Sequence, residues 1–180
     1  MSDAERQSAM TALEESREKF ANSVKGLSEK QWKFRAAEGK WSIADVAEHL
    51  ALTEGGITSL VQQQLMQSPE VETVDTAWDQ KMRPVLTDRS TKVQAPEPLR
   101  PSSNFATGDA AMDAFRGSRM KTISYVQNTK DDLRHHKAPH PFLGPLDGYQ
   151  WLLLLSAHTE RHTAQIEEVK TSAGYPASVK

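Results

Sequence analysis

The sequence predicts an all-α four-helix bundle with a long crossover connection between the second and third helices. Four stretches repeat apolar residues at steps of three and four, the period of a helix with one buried face. No stretch shows the strict apolar–polar alternation of a half-buried strand. Between residues 68 and 107, Pro69, Pro84, Pro96, Pro98 and Pro101 interrupt any continuous helix. A connection of that length between helices fits a bundle with a crossover.

The first helix begins at Ser2, where Ser2 and Glu5 have the spacing of a capping box: side chain and backbone satisfy each other's unpaired N–H groups. Met10, Leu13, Phe20, Val24 and Leu27 form its apolar stripe. After a polar break ending at Gly39, the second helix starts at Ser42, again three residues before an acidic partner, Asp45. Trp41 and Val46 are spaced as a hydrophobic staple across that start. Ile43, Val46, Leu50, Ile57, Leu60 and Val61 mark its buried face through Met66. Gly55 and Gly56 fall inside it, at a cost of about 1 kcal/mol each relative to alanine, and suggest a kink or a close helix contact.

Within the crossover, Val74–Met82 has the pattern of one or two helical turns. The third helix runs from Asp109 to Arg134 with Met112, Phe115, Ile123, Val126 and Leu133 on its apolar side, followed by a proline-punctuated loop. The fourth opens at Asp147, with Gln150 three residues on, and ends near Gly174 ahead of Pro176.

A chain of 180 residues suggests one domain, spanning 1–180, large enough to bury a core without disulfides. It contains no cysteine, which excludes a cysteine–zinc site and a thiol nucleophile of its own. Its charges, net −2, are well mixed, so nothing points to nucleic acid. The polar N-terminus lacks an apolar signal core, and the longest apolar run, Trp151–Leu155, is too short to cross a bilayer. No membrane partner and a cytoplasmic location are therefore expected.

The chemistry lies in the histidines. Trp151, Leu155, His158, His162, Gln165 and Val169 step by four and three, so both histidines share the inward seam of the fourth helix. Residues four apart have Cβ atoms about 5–6 Å apart, close enough for two imidazoles to meet at one metal ion. His49 stands on the buried face of the second helix and is the candidate third ligand. Three histidines leave a coordination position open, the catalytic rather than the structural pattern. A buried histidine is more commonly an ordinary hydrogen-bonded core residue. The pair on one seam and a third facing it favour the metal reading.

The spacing differs from the H-E-x-x-H protease motif. Glu160 lies two residues after His158, about 200° around the helix, and is expected to face solvent. Thr159 cannot act as a general base. His135, His136 and His140 read as solvated loop residues, with His140 the nearest of them to the site. Gln165 and Thr53, each one turn beyond a candidate ligand, read as structural seam residues or as supports for one.

Gly39–Glu54 and Phe142–Val169 resemble the DinB/YfiT-like superfamily of bacterial metalloenzymes, a likeness that covers nearly the whole chain. The family's pattern of a histidine in the second helix followed by H-x-x-x-H in the last maps onto His49, His158 and His162. That resemblance implies a four-helix bundle and a divalent metal, commonly nickel or zinc, on those three residues. It also implies a small-molecule substrate, since relatives include bacillithiol S-transferases and a mycothiol-dependent maleylpyruvate isomerase. Such a protein would be a transferase activating a small thiol, and the family frequently forms homodimers. A metal-dependent hydrolase, a non-catalytic metal-binding or stress-response module, and a structural metal rivet between helices are the alternatives.

Overall fold

The computed structural model describes residues 1–177. Its bundle consists of α1 (Asp3–Val24), α3 (Ile43–Ser59), α5 (Gly108–Asn128) and α6 (Gly148–Lys170). Two helices are added to the expected four: α2 (Glu29–Lys33) in the polar break, and α4 (Ala77–Thr87) in the crossover. All three expected capping boxes form, at Ser2/Glu5, Ser42/Asp45 and Asp147/Gln150, and a fourth, Ser28/Gln31, starts α2.

Each of α1 and α3 packs against both α5 and α6. Lys19 meets Glu160 while Glu5 and Asp147 share Arg134, so α1 and α6 run parallel. Glu54 meets Arg119 and Thr58 meets Thr122, so α3 and α5 run parallel as well. Arg6 reaches the Val126 carbonyl and Arg119 the Leu13 carbonyl, which sets α1 antiparallel to α5. Two parallel helices that follow one another must be joined by a connection that returns along the bundle. A 17-residue helix is about 25 Å long, and the crossover exists to cover that distance.

The crossover is more ordered than its prolines suggest. The helix does not break at Gly55–Gly56; it passes into one π turn at Leu60–Gln64 and a 3₁₀ turn at Leu65–Gln67. Helix α4 runs 11 residues, beyond the one or two turns expected, and carries Pro84 inside it. Packing on α6 outweighs the lost backbone bond: Met82 is buried, Arg83 pairs with Glu160, and Arg161 reaches back to the Leu86 carbonyl at the helix end.

Helix α5 stops at Asn128, six residues short of the expected end. The chain leaves the helix because Arg134 is drawn to three carboxylates, Glu5, Asp79 and Asp147, with nearest distances of 2.5, 2.6 and 2.9 Å. The Leu133 carbonyl in the same stretch accepts the first N–H of α6, from Gly148, at 2.7 Å.

The absence of strands is also corrected. β1 (Lys137–His140) and β2 (Gly144–Asp147) pair as an antiparallel hairpin, with Gly144 at φ +77° after a three-residue loop. Four-residue strands with a proline in each give no alternation to read. The prolines, 139 and 145, sit opposite one another, where their nitrogens can point away from the partner strand.

Two apolar clusters fill the bundle. One is built around Leu13, Val61, Leu65, Val126 and Leu152, the other around Phe20, Trp32, Ile43, Val46 and Phe115. Between them lies a buried ionic layer: the Arg119 and Glu54 side chains are 0% and 1% exposed and 2.7 Å apart. Where α5 begins, Gly108 lies flat on the Trp32 ring, and a Cβ there would sit 2.1 Å from it. Gly108→Ala is therefore expected to destabilise the fold by about 1–3 kcal/mol or more, readable as a lowered urea midpoint. An unchanged midpoint would mean that Trp32 can move aside. Among the described residues no helix is long and apolar enough to cross a membrane.

Candidate metal centre

Helices α3 and α6 run antiparallel and bring the three candidate histidines to one point. His49 Nε2 lies 3.3 Å from His158 Nε2, which lies 3.1 Å from His162 Nε2. One ligand nitrogen from each falls within 4.8 Å of the others.

The surroundings fix the protons. His49 Nδ1 is 2.7 Å from the Leu99 carbonyl, which can only accept, so Nδ1 donates and Nε2 carries a lone pair. His162 Nδ1 donates in the same way to Gln165 Oε1 at 2.8 Å. Two bare lone pairs therefore point at the space that His158 also faces, an arrangement that repels unless a cation or a proton lies between. A tetrahedral ion with metal–nitrogen bonds of about 2.0–2.1 Å places its nitrogens about 3.3 Å apart. The donor set, its spacing and its tautomers fit a divalent cation.

Burial pushes all three imidazoles toward the neutral form. It lowers the His49 pKa, and it takes His158 and His162 well below the ordinary histidine value, with repulsion among the rings adding to the effect. Neutral imidazole is the form that ligates. In metal-free protein the consequence for stability has a definite sign. The unfolded chain takes up protons as pH falls through about 6.5, while the folded chain resists them, so stability drops as pH decreases below that value. Urea midpoints of metal-free protein at pH 7.5 and 5.5 should show the loss, and His158→Leu should reduce it. An identical decline in that variant would assign the effect to other groups.

Trp41 forms one wall. Its ring lies 4.9 Å from His49 and stacks at 6.2 Å and 23° on His162, measured between centroids. The residue expected only to staple the start of α3 thus also covers two candidate ligands. Leu99 belongs to a strap from the crossover that lies across α3: Glu48 accepts the backbone N–H groups of Ser102 and Asn104 there.

The seam of α6 differs from the expected one by a residue. Leu152, Leu155, Thr159, His162, Ile166 and Val169 are buried, whereas His158 and Gln165 are half-buried at its edge. A ring at the edge suits a site that small molecules must reach. Thr159 faces the core and joins the Arg119 layer at 2.9 Å. Glu160 points away from the triad as expected but is not free in solvent: its side chain is 14% exposed and held by Arg83 and Lys19.

Of the three loop histidines, His136 and His140 are engaged, whereas His135, with 40% of its side chain exposed, is solvated as expected. His136 Nδ1 bonds the Ser68 carbonyl, His135 pairs with Asp132, and the His140 ring lies 5.3 Å from that of Trp151. Gln165, read as structural, holds His162 directly. Its register one turn past that ligand was the available signal; nothing local marks Leu99.

A four-helix bundle with three convergent imidazoles between two of its helices is the class of protein that fold and site define. Residues 12–166 match the model of the DinB superfamily, and the chain belongs to that superfamily. The resemblance seen in Gly39–Glu54 and Phe142–Val169 is borne out. The chain is 26% identical over 161 residues to YuaE, an uncharacterised protein of Bacillus subtilis, spanning 89% of this chain and 96% of that one. Among solved structures it resembles YfiT from Bacillus subtilis, described as a probable metal-dependent hydrolase with an unusual four-helix bundle topology. That match has a TM-score of 0.60 and 16% identity, and covers 98% of this chain and 91% of that one. It also resembles TT2238, a four-helix bundle protein, at a TM-score of 0.53 and 20% identity over 91% of this chain and 98% of that one.

Proposed function

We propose that the protein is a metal-dependent enzyme that holds a divalent cation, nickel or zinc, on His49, His158 and His162 and activates a small-molecule thiol for transfer to an electrophile. The observation that carries the reading is the convergence of three Nε2 atoms, two of them fixed as bare acceptors by Leu99 and Gln165. When bound, the cation supplies a Lewis acid that lowers the pKa of whatever nucleophile occupies its open position.

The protein's own groups favour a thiol over water. A bound thiol with an unperturbed pKa of about 8.5 needs little help to ionise, whereas water gains most from a neighbouring base. Glu160 is turned away and tied to Arg83 and Lys19, and Thr159 is committed to Arg119. The chain has no cysteine, so the thiol must be a separate molecule. His49 and His162 hold fixed tautomers, and Trp41 keeps water from one side of the rings. Hydrolysis is the second reading, favoured by the description of YfiT.

The test begins with elemental analysis of protein purified without a metal-affinity tag. Stoichiometric nickel or zinc is expected, and its absence after loading with either metal would remove the proposal. Loaded protein should then join low-molecular-weight thiols to a generic electrophile, with no turnover in His162→Ala. Cleavage of esters without any thiol would favour the hydrolytic reading instead.

A further inference from the structure

We propose that Thr53, Trp151 and His140 form a hydrogen-bond-donor subsite that holds the carboxylate of a small substrate beside the three histidines. The inference rests on the triad as the reaction centre and adds the class of group that the substrate presents to the protein.

The observation that opens it is a pair of buried donors with nothing to bond. Among the described residues Thr53 Oγ1 and Trp151 Nε1 have no partner, in residues only 4% and 5% exposed. A buried polar group left unmade costs about 1–3 kcal/mol, so folded chains rarely keep one without a use. Thr53 also departs from the habit of four other helical threonines. Thr87, Thr122, Thr159 and Thr163 each bond the carbonyl four residues back, at 2.8, 3.2, 2.9 and 2.9 Å. Thr53 does not. Two other orphans, Trp32 Nε1 and Tyr175 Oη, belong to the apolar cluster at the opposite end of the bundle.

Both orphans lie on the same side of the triad. Thr53 is one turn beyond His49 on α3, and Trp151 is two turns before His158 on α6, rotated by only about 20° from it. Because α3 and α6 are antiparallel, those two steps lead in the same direction from the metal centre. The hairpin adds a third group there: the His140 ring lies 5.3 Å from that of Trp151. His140 Nδ1 accepts the backbone N–H groups of Phe142 and Leu143, both at 3.2 Å. The proton of the neutral ring is therefore on Nε2, which has no protein partner among the described residues. A hydroxyl, an indole N–H and an imidazole N–H can all donate, and among the described residues no carboxylate accepts from them. Such a set is complementary to an acceptor with two oxygens and several lone pairs, which is a carboxylate.

The test uses metal-free and zinc-loaded protein and the indole N–H signals of Trp32, Trp41, Trp78 and Trp151 in a ¹H–¹⁵N spectrum. The Trp151 signal is identified by its loss in Trp151→Phe. Propionate is expected to move it downfield and saturably while Trp32 stays still; n-propylammonium, which cannot accept, is expected to leave it in place. Thr53→Val should weaken propionate about tenfold, the loss of one hydrogen bond to a charged group. His140→Phe, on the hairpin, provides the same reading should Thr53→Val fail to fold. A Trp151 signal that ignores propionate, or an affinity unchanged in both variants, overturns the subsite. Metal content measured on the same samples separates the two claims. Stoichiometric zinc with no propionate response removes the subsite alone, and a saturable response without uptake of zinc or nickel keeps it and removes the metal reading.

Discussion

Replacing Arg119 by methionine is expected to destabilise the folded chain by about 3–5 kcal/mol, the largest effect of any substitution outside the histidines. Its guanidinium lies 2.7 and 2.8 Å from the two Glu54 oxygens, 2.7 Å from the Leu13 carbonyl, 2.8 Å from Ser16 and 2.9 Å from Thr159. Glu54 accepts further only from Thr122, at 2.8 Å. Without the arginine a carboxylate is left buried between two apolar clusters with no opposite charge, which is the costly half of a broken buried pair. Removing both charges together is far cheaper, so Arg119→Met/Glu54→Met should recover most of the loss. Denaturant unfolding of the two variants measures this. A single variant as stable as wild type would show that the layer tolerates an unpaired carboxyl. The layer joins α1, α3, α5 and α6, so the single variant should also loosen the alignment of His49 with His158 and His162.

The second large effect is on metal. His162→Ala removes one of the three proposed ligands and is expected to abolish stoichiometric binding, read by competition with a chromophoric chelator. Gln165→Leu keeps every ligand but removes the acceptor that fixes the His162 tautomer, and should weaken the metal about 10–100-fold. Gln165→Glu retains an acceptor and should remain near wild type or bind more tightly. Equal affinity in Gln165→Leu would show that the ring holds its tautomer without help. Both Gln165 variants should fold normally, because the residue is half-buried at the edge of α6.

The starts of three long helices were legible because capping is local. Ser2, Ser42 and Asp147 each find a partner three residues on, and the structure has all three boxes. The crossover was legible as irregular, with one or two helical turns at Val74–Met82 that the structure extends into α4. Helix α4 depends on α6 for its stability, and the hairpin pairs two four-residue strands that carry no alternation. The end of α5 was misplaced for a similar reason: Leu133 continues the apolar pattern, but Arg134 is held by Glu5, Asp79 and Asp147 from other parts of the chain. The Arg119 layer had a faint signal, an arginine and a threonine in step with Met112, Phe115 and Val126. Without knowledge of Glu54 opposite, that pattern reads as two polar residues on an apolar face.

By itself the sequence determined the helical class, the three starting caps, the absence of any thiol and the inward placement of His49 and His162; His158, expected beside them, lies half-buried at the edge of the seam. Those properties depend on residue type and on spacings of three to seven residues, which the helix converts directly into a shared face. The tertiary structure alone decided that the rings meet, which nitrogens are bare, and which donors are left without partners. His49 finds the Leu99 carbonyl 50 residues away and His158 109 residues away. Contacts at that range are set by how the helices pack, and a parallel α3/α5 pair joined by a crossover leaves no periodic trace of them.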